Sequence, residues 1–213
     1  MSTKNRPLMS VEASQKGNPM DFLFQSAWFW FVYLLFLMFE AVAIAVVWFA
    51  VGPSNPWCAF AVVGATWSLT LALCAPAVIR RVPEQWFRVP TGERVLHQIL
   101  FVGLFSWLLD LSRWNRLIKP LRGFSHNRAG LVRLEQAART SGTAHGICFA
   151  IHVLLAILAL FSRHPWSGAL WMLLPGSVVH LYPLLLQRSI MLRLQPRLDK
   201  IGSLTDRTLK GRP

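Results

Sequence analysis

The feature that most constrains this chain is the stretch from Phe22 to Val51, about thirty residues whose strongly polar members are Gln25, Ser26 and Glu40, with Asp21 at its edge. At roughly 1.5 Å per residue, a helix of this length exceeds the ~30 Å hydrocarbon core of a bilayer, so it crosses with a tilt or emerges at one end. It is also far longer than the roughly 7 to 15 residue apolar core of a cleavable signal peptide, and is expected to stay as an anchor. Gly52-Pro53-Ser54-Asn55-Pro56 reads as a tight turn. The second apolar run, Trp57 to Ile79, contains no charge and is closed by Arg80-Arg81. Two further runs, Ala144 to Phe161 and Trp166 to Leu186, are joined by Ser162-Arg163-His164-Pro165. Backbone amides left unpaired in hydrocarbon are costly, so each run is expected to be a helix.

These runs predict an all-α, polytopic membrane protein of about four transmembrane helices. Five segments follow: a polar cytoplasmic N-terminus at 1–20, a transmembrane hairpin at 21–81, a basic cytoplasmic region at 82–143, a second hairpin at 144–187, and a basic tail at 188–213. Val95 to Leu111 is an apolar stretch inside the basic region, interrupted by His97, Gln98 and Asp110. Its apolar core is short and both flanks are basic, which points to an interfacial or amphipathic helix; a true crossing is the alternative.

Composition agrees with the bilayer as solvent: 54% of residues are hydrophobic and 15% charged. The formal charge of +13 would suggest nucleic acid in a soluble protein. Here the basic residues flank the apolar runs and no nucleic-acid recognition module is recognisable, so no nucleic-acid partner is expected. Of the 22 Lys and Arg, three precede the first run, eleven fall between the second and third, seven follow the fourth, and Arg163 alone faces the other way. Cytoplasmic loops carry the excess of positive charge, so both termini are expected in the cytoplasm and the chain in the cell membrane as a multi-pass protein. A crossing by 95–111 would put the seven basic residues of the tail outside. Cys58, Cys74 and Cys148 lie in or beside apolar segments without metal or redox spacing, and read as buried, inert thiols.

Ionisable groups at membrane depth are expensive and mark functional candidates. His145 and His152 are seven residues apart, close to two helical turns, and so share a face of the third run; His180 and Gln187 share a face of the fourth by the same arithmetic. A histidine near the interface, such as His145, has the chemistry of a general base, whereas His152, deeper in the run, reads more readily as a packing residue. No matched carboxylate or spacing supports a metal or haem among them. Glu40 is the one acid within a clear span, either a neutral packing group or a catalytic one. Pro175-Gly176 and Pro183 remove backbone hydrogen bonds from the fourth run and permit a kink. The tryptophans near run ends read as interfacial anchors. The basic surface suits anionic membrane lipids, or a phosphate-bearing substrate.

The run His180-Leu-Tyr-Pro183-Leu-Leu-Leu-Gln187-Arg188, continuing to Arg193-Leu194, resembles the Asn-x-x-Pro-x-x-x-Gln-Arg signature of the glycosyl-4,4'-diaponeurosporenoate acyltransferase family of carotenoid biosynthesis. Val82-Pro83-Glu84-Gln85-Trp86-Phe87-Arg88 looks like that family's Pro-x-x-aromatic-Phe-Arg segment. Glu93 and the apolar block after it match the family's next acidic and apolar block, and His145 stands where the family has Glu-x-x-His. The sequence departs from the pattern at Gly142, where the family has glutamate, at His180, where it has asparagine, and at Ile190 and Met191.

The resemblance implies transfer of a fatty acyl group to the hydroxyl of a lipid or glycosylated carotenoid at the cytoplasmic face, from acyl-CoA or a similar donor and with no cofactor. It implies catalytic roles for His145, with His180 or Glu93 orienting it in place of the missing glutamate, and substrate contacts for Arg88, Gln187, Arg188 and Arg193. The competing reading is a non-catalytic scaffold, assembly or lipid-binding subunit with a membrane protein partner.

Overall fold

The computed structural model describes residues 27–74, 82–114, 116 and 128–210. The expected N-terminal segment 1–20, the end of the second span at Ile79 with Arg80 and Arg81, and the stretch 117–127 lie outside the described residues. The described secondary structure is helical throughout: α1 Ala27–Val51, α2 Pro56–Leu73, α3 Glu84–Phe87, α4 Glu93–Ile99, α5 Val102–Leu111, α6 Arg128–Ala159, α7 Pro165–Gly176, a π-helical turn Ser177–Leu181, and α8 Tyr182–Lys210. Four stretches are long and apolar enough to cross a bilayer: Trp30–Val51, Pro56–Leu73, Ala129–Ala159 and Pro165–Lys200. The protein is therefore an all-α, polytopic membrane protein.

The chain divides into two compact units, Met1–Phe39 and Glu40–Pro213. In the first, the described residues are the opening turns of α1, where Trp30 and Tyr33 meet edge to face at 6.2 Å. Everything below concerns the second unit.

The turn after α1 follows from its residues. Gly52 takes a left-handed φ of 83° that side chains resist, and its carbonyl accepts the Asn55 N–H at 3.1 Å. Asn55 Oδ1 then accepts the Trp57 N–H at 3.0 Å, capping α2, whose first residue, Pro56, has no N–H to satisfy.

Helix α6 is the centre of the bundle and touches α2, α7, the π-helical turn and α8. The interior is built from small or slender side chains: Cys58, Ala59 and Val62 of α2, Ala156 of α6, and Ala169 and Met172 of α7. Ile44, Val47 and Trp48 of α1 lie against it, partly buried. Small residues are what helix association in lipid demands, because lipid is as apolar as the core and close backbone approach must supply the attraction. At Gly168 a Cβ would stand 3.1 Å from that of Ala159 and 3.5 Å from Pro53, so the start of α7 closes on both α6 and the α1–α2 turn. Large apolar side chains such as Phe49, Phe60, Leu71, Leu154 and Leu170 point outward, the arrangement of helices solvated by lipid.

Two expectations are refined. Helix α6 begins at Arg128, sixteen residues before Ala144, and α8 runs on past Gln187, so both spans continue as helices into the basic segments. The basic end of α6 packs on α8, while Arg163 sits at the far end, in the α6–α7 turn. Val95 to Leu111 is not one straight helix: α4 and α5 are bent by 60°, with Phe101 in the left-handed region at φ 52°. The ten residues of α5 rise about 15 Å, half the hydrocarbon thickness, so a straight crossing is ruled out for that helix alone.

Candidate functional site

The functional candidates converge where the fourth span is irregular. Pro175 lacks the N–H that would continue the ladder, and Gly176 after it has no side chain. The helix relaxes into a π-helical turn in which the Tyr182 N–H donates to Ser177 C=O, five residues back. Such one-residue expansions re-aim side chains, and here the turn drives His180 into the bundle, fully buried. Gly176 is required on packing grounds: a Cβ there would lie 2.7 Å from the Cβ of His152. The glycine lets the His152 side chain approach the α7 backbone closely.

Three histidines and one threonine form a continuous hydrogen-bonded chain. His145 Nδ1 lies 3.2 Å from His180 Nδ1. His180 Nε2 lies 2.9 Å from Thr66 Oγ1, and Thr66 Oγ1 lies 3.2 Å from His152 Nε2. The chain ends where His152 Nδ1 meets the Met172 carbonyl oxygen at 2.9 Å. His152, His180 and Thr66 are buried and His145 is half-buried.

Donor counting fixes the protons in this chain when every ring is neutral. A carbonyl only accepts, so His152 carries its hydrogen on Nδ1 and presents a bare Nε2. The single Thr66 hydroxyl proton must then go to His152 Nε2; carbonyls of Val62 and Val63 are within reach at 2.9 and 3.2 Å, but donation to either would leave two lone pairs facing each other. Thr66 Oγ1 therefore accepts from His180 Nε2–H, His180 Nδ1 is bare, and His145 donates through Nδ1. His145 Nε2 is left as an unprotonated nitrogen without a protein partner among the described residues. A carbonyl on α7 thus sets the tautomer of a histidine on the far side of the cluster.

One turn toward the basic end of α6, a small cavity of about 20 Å³ is lined by Trp86, Ala138, Gly142, Thr143, Gln187 and Met191 among others. Gly142 opposes Gln187, whose Cβ is 3.4 Å from the place a Gly142 Cβ would occupy. Gln187 thus lies on the same side of α8 as His180, as the spacing predicted. Thr143 Oγ1 is buried without a partner among the described residues. The wall on the α3 side is held by Arg188, which donates to both carboxylate oxygens of Glu93, at 2.8 and 2.5 Å, and to Trp86 O at 3.0 Å. Arg139 similarly ties Glu84 and Glu135 together and lies over the Phe87 ring. That hydrogen bond holds the Glu84 carboxyl below the usual carboxylate range.

The predicted residues are thus partly brought together. His145 and His180 touch, and Glu93 is engaged by Arg188 rather than by a histidine. Arg188 is committed to Glu93 and Trp86, whereas Arg88 and Arg193 are exposed. His152 joins the cluster as well as packing. Glu40 accepts from Ser68 at 2.9 Å, away from the histidines, with its Oε2 unpartnered among the described residues. Cys148 lies beside the cluster, donating to Thr66 O at 3.2 Å, and all three cysteines are free.

Thr66 was missed, because a threonine in an apolar helix ordinarily returns its hydroxyl to the carbonyl four residues back. The available signal was weak: Thr66 and Thr70 stand four apart and so share one face of α2.

No curated protein and no solved structure matches this chain. A family model, however, matches residues 83–200, more than half of the 213, and spans α3 through most of α8, including His145, His180, Gln187 and Arg188. On that match the chain belongs to the glycosyl-4,4'-diaponeurosporenoate acyltransferase family.

Proposed function

We propose that the protein transfers a fatty acyl group from acyl-CoA or a similar thioester to a hydroxyl of a lipid or carotenoid glycoside at the cytoplasmic face, with His145 as general base. The observation that carries this reading is the hydrogen-bonded chain from the Met172 carbonyl to His145, for which donor counting makes His145 Nε2 the unprotonated end.

In the proposed step, His145 Nε2 removes the proton of the acceptor hydroxyl as its oxygen attacks the thioester carbonyl. The tetrahedral intermediate collapses with cleavage of the C–S bond, and the protonated His145 returns its proton to the departing sulfur, so the enzyme is regenerated. His180 receives the His145 Nδ1–H throughout and fixes the ring, and Thr66, His152 and the Met172 carbonyl fix His180. No cofactor enters this scheme. The basic ends of α6 and α8 give the anionic donor a positively charged approach, and the charge partition along the chain supports their being cytoplasmic.

One observation favours the competing reading of a lipid-binding or assembly subunit. His145 is oriented by a neutral histidine, since Gly142 supplies no carboxylate, and a neutral partner stabilises an imidazolium less than an anion does. His145→Ala decides between them in membranes supplied with donor and acceptor. The acyltransferase reading expects loss of the acylated product with the protein still folded; full retention of transfer refutes it, and unchanged lipids with a destabilised partner complex support the subunit reading.

A further inference from the structure

On the other side of α8 from the histidine cluster lies a much larger cavity, about 720 Å³, bounded by α4, α5 and the face of α8 that carries Leu186, Ser189 and Arg193. Its size is in the range of small-molecule sites, roughly 300 to 1,000 Å³. The cavity exists because α4 and α5 do not form one straight helix: the 60° bend at Phe101 directs α5 away from α4. A bulky residue in the left-handed region is a strained choice, one that marks a shape kept for a reason other than local stability.

The wall is divided. Arg94, His97 and Gln98 of α4 with Ser189 and Arg193 of α8 form a polar side, while Leu104 and its neighbours on α5 form an apolar one. Neither Arg94 nor Arg193 has an ion pair among the described residues; the nearby acid, Glu93, is already bound by Arg188. His97 is 8% exposed, and its Nε2 is buried without a hydrogen-bond partner among the described residues. Two free guanidinium groups and an orphaned imidazole nitrogen beside an apolar wall together fit one chemistry, a phosphate carrying a hydrocarbon chain.

We propose that this cavity binds the phosphate of an acyl-chain amphiphile, with Arg94 and Arg193 neutralising the phosphate, His97 Nε2–H donating to one of its oxygens, and the chain lying along α5. Such a phosphate comes from one of two sources, the nucleotide part of a thioester acyl donor or the headgroup of a membrane phospholipid. The first rests on the acyltransferase reading given above; the second does not.

The test uses the full-length protein in a phospholipid-free neutral detergent, with hexadecanoyl-CoA as probe and hexadecanoic acid as the phosphate-free control. Binding is measured by titration calorimetry and retained phospholipid by native mass spectrometry. Arg94→Gln/Arg193→Gln is expected to weaken hexadecanoyl-CoA binding about tenfold or more, and His97→Gln about threefold, with Arg94→Lys/Arg193→Lys recovering part of the loss. Arg163→Gln, at the opposite end, is the control and should bind as the parent does. Circular dichroism confirms that each variant is folded.

If the parent protein instead retains a phospholipid that hexadecanoyl-CoA fails to displace, and the double Gln variant loses it, the phosphate site stands with the headgroup as its source. Binding of both probes within twofold of the parent in the double Gln variant overturns the proposal. Loss of binding in that variant with no acyl transfer by the parent keeps the site and removes the acyltransferase reading. Unchanged transfer and thioester KM in a variant that also keeps any retained phospholipid do the reverse.

Discussion

Thr66→Val removes one oxygen from the centre of the histidine chain and leaves nearly the same volume. In the native protein that hydroxyl accepts from His180 Nε2 at 2.9 Å and donates to His152 Nε2 at 3.2 Å, at a site that is 3% exposed. Valine strands both ring nitrogens. Leaving a buried polar group unpaired costs about 1–3 kcal/mol, so two would cost up to about 6 kcal/mol if nothing relaxed. Hydrogen bonds between membrane helices average nearer 0.6 kcal/mol in measured cycles, because the rings find other partners. A loss of roughly 2–3 kcal/mol lies between these limits. Function should fall further than stability alone dictates, since without Thr66 nothing selects the His180 tautomer that receives the His145 Nδ1–H. A tenfold rate loss corresponds to about 1.4 kcal/mol in the barrier, and a drop of ten- to a hundredfold in acyl transfer is expected. Thr66→Ser, which keeps the hydroxyl, is the matched control and should remain within about threefold of the parent. Unfolding in mixed micelles gives the stability, and product formation in membranes gives the rate. A Thr66→Val protein as stable and as active as Thr66→Ser would refute the assigned chain of protons.

Three further outcomes follow from particular contacts. Gly176→Ala should destabilise the protein by about 2–3 kcal/mol in the same unfolding assay, because a Cβ 2.7 Å from that of His152 forces the ring or the α7 backbone to move. Glu93→Gln leaves Arg188 with a neutral partner at a site where both side chains are only about one-fifth exposed, so α4 should loosen from α8 and limited trypsin digestion at Arg94 should quicken severalfold. The Glu84 carboxyl is held below its usual range by Arg139, so its contribution is fully present above the unfolded carboxylate pKa, near 4.3, and is lost as pH falls through the lower folded value. Because Glu84 is 64% exposed, that contribution stays below about 1 kcal/mol, and Glu84→Gln should lower the thermal midpoint slightly at pH 7, with the difference from the parent vanishing between pH 5 and 3.

Sequence alone determined that the chain is a bundle of apolar helical spans, because hydrocarbon admits few backbone arrangements and a run such as Phe22 to Val51 satisfies one of them. It also marked His145 and His180, since ionisable groups stand out in apolar helices, and the order of Pro83, Glu93, His145 and Gln187-Arg188 carried the family. What only the tertiary structure decided was partnership. Periodicity places residues on faces but not against one another, so nothing in the chain said that Thr66, 114 positions from His180, would join three rings into one chain. The π-helical turn was equally hidden: Pro175-Gly176 signalled a break, but whether a broken helix kinks, unwinds or expands by one residue depends on what packs beside it, here the His152 ring. Glu93 and Arg188 were implied as site residues by the resemblance to the family's motifs. In the fold they bind each other, and the free cations beside the large cavity are Arg94 and Arg193. The reason is the same in each case: solvation by lipid is a property of a segment and is written locally, whereas a hydrogen bond or a cavity is a property of two segments and appears only when they meet.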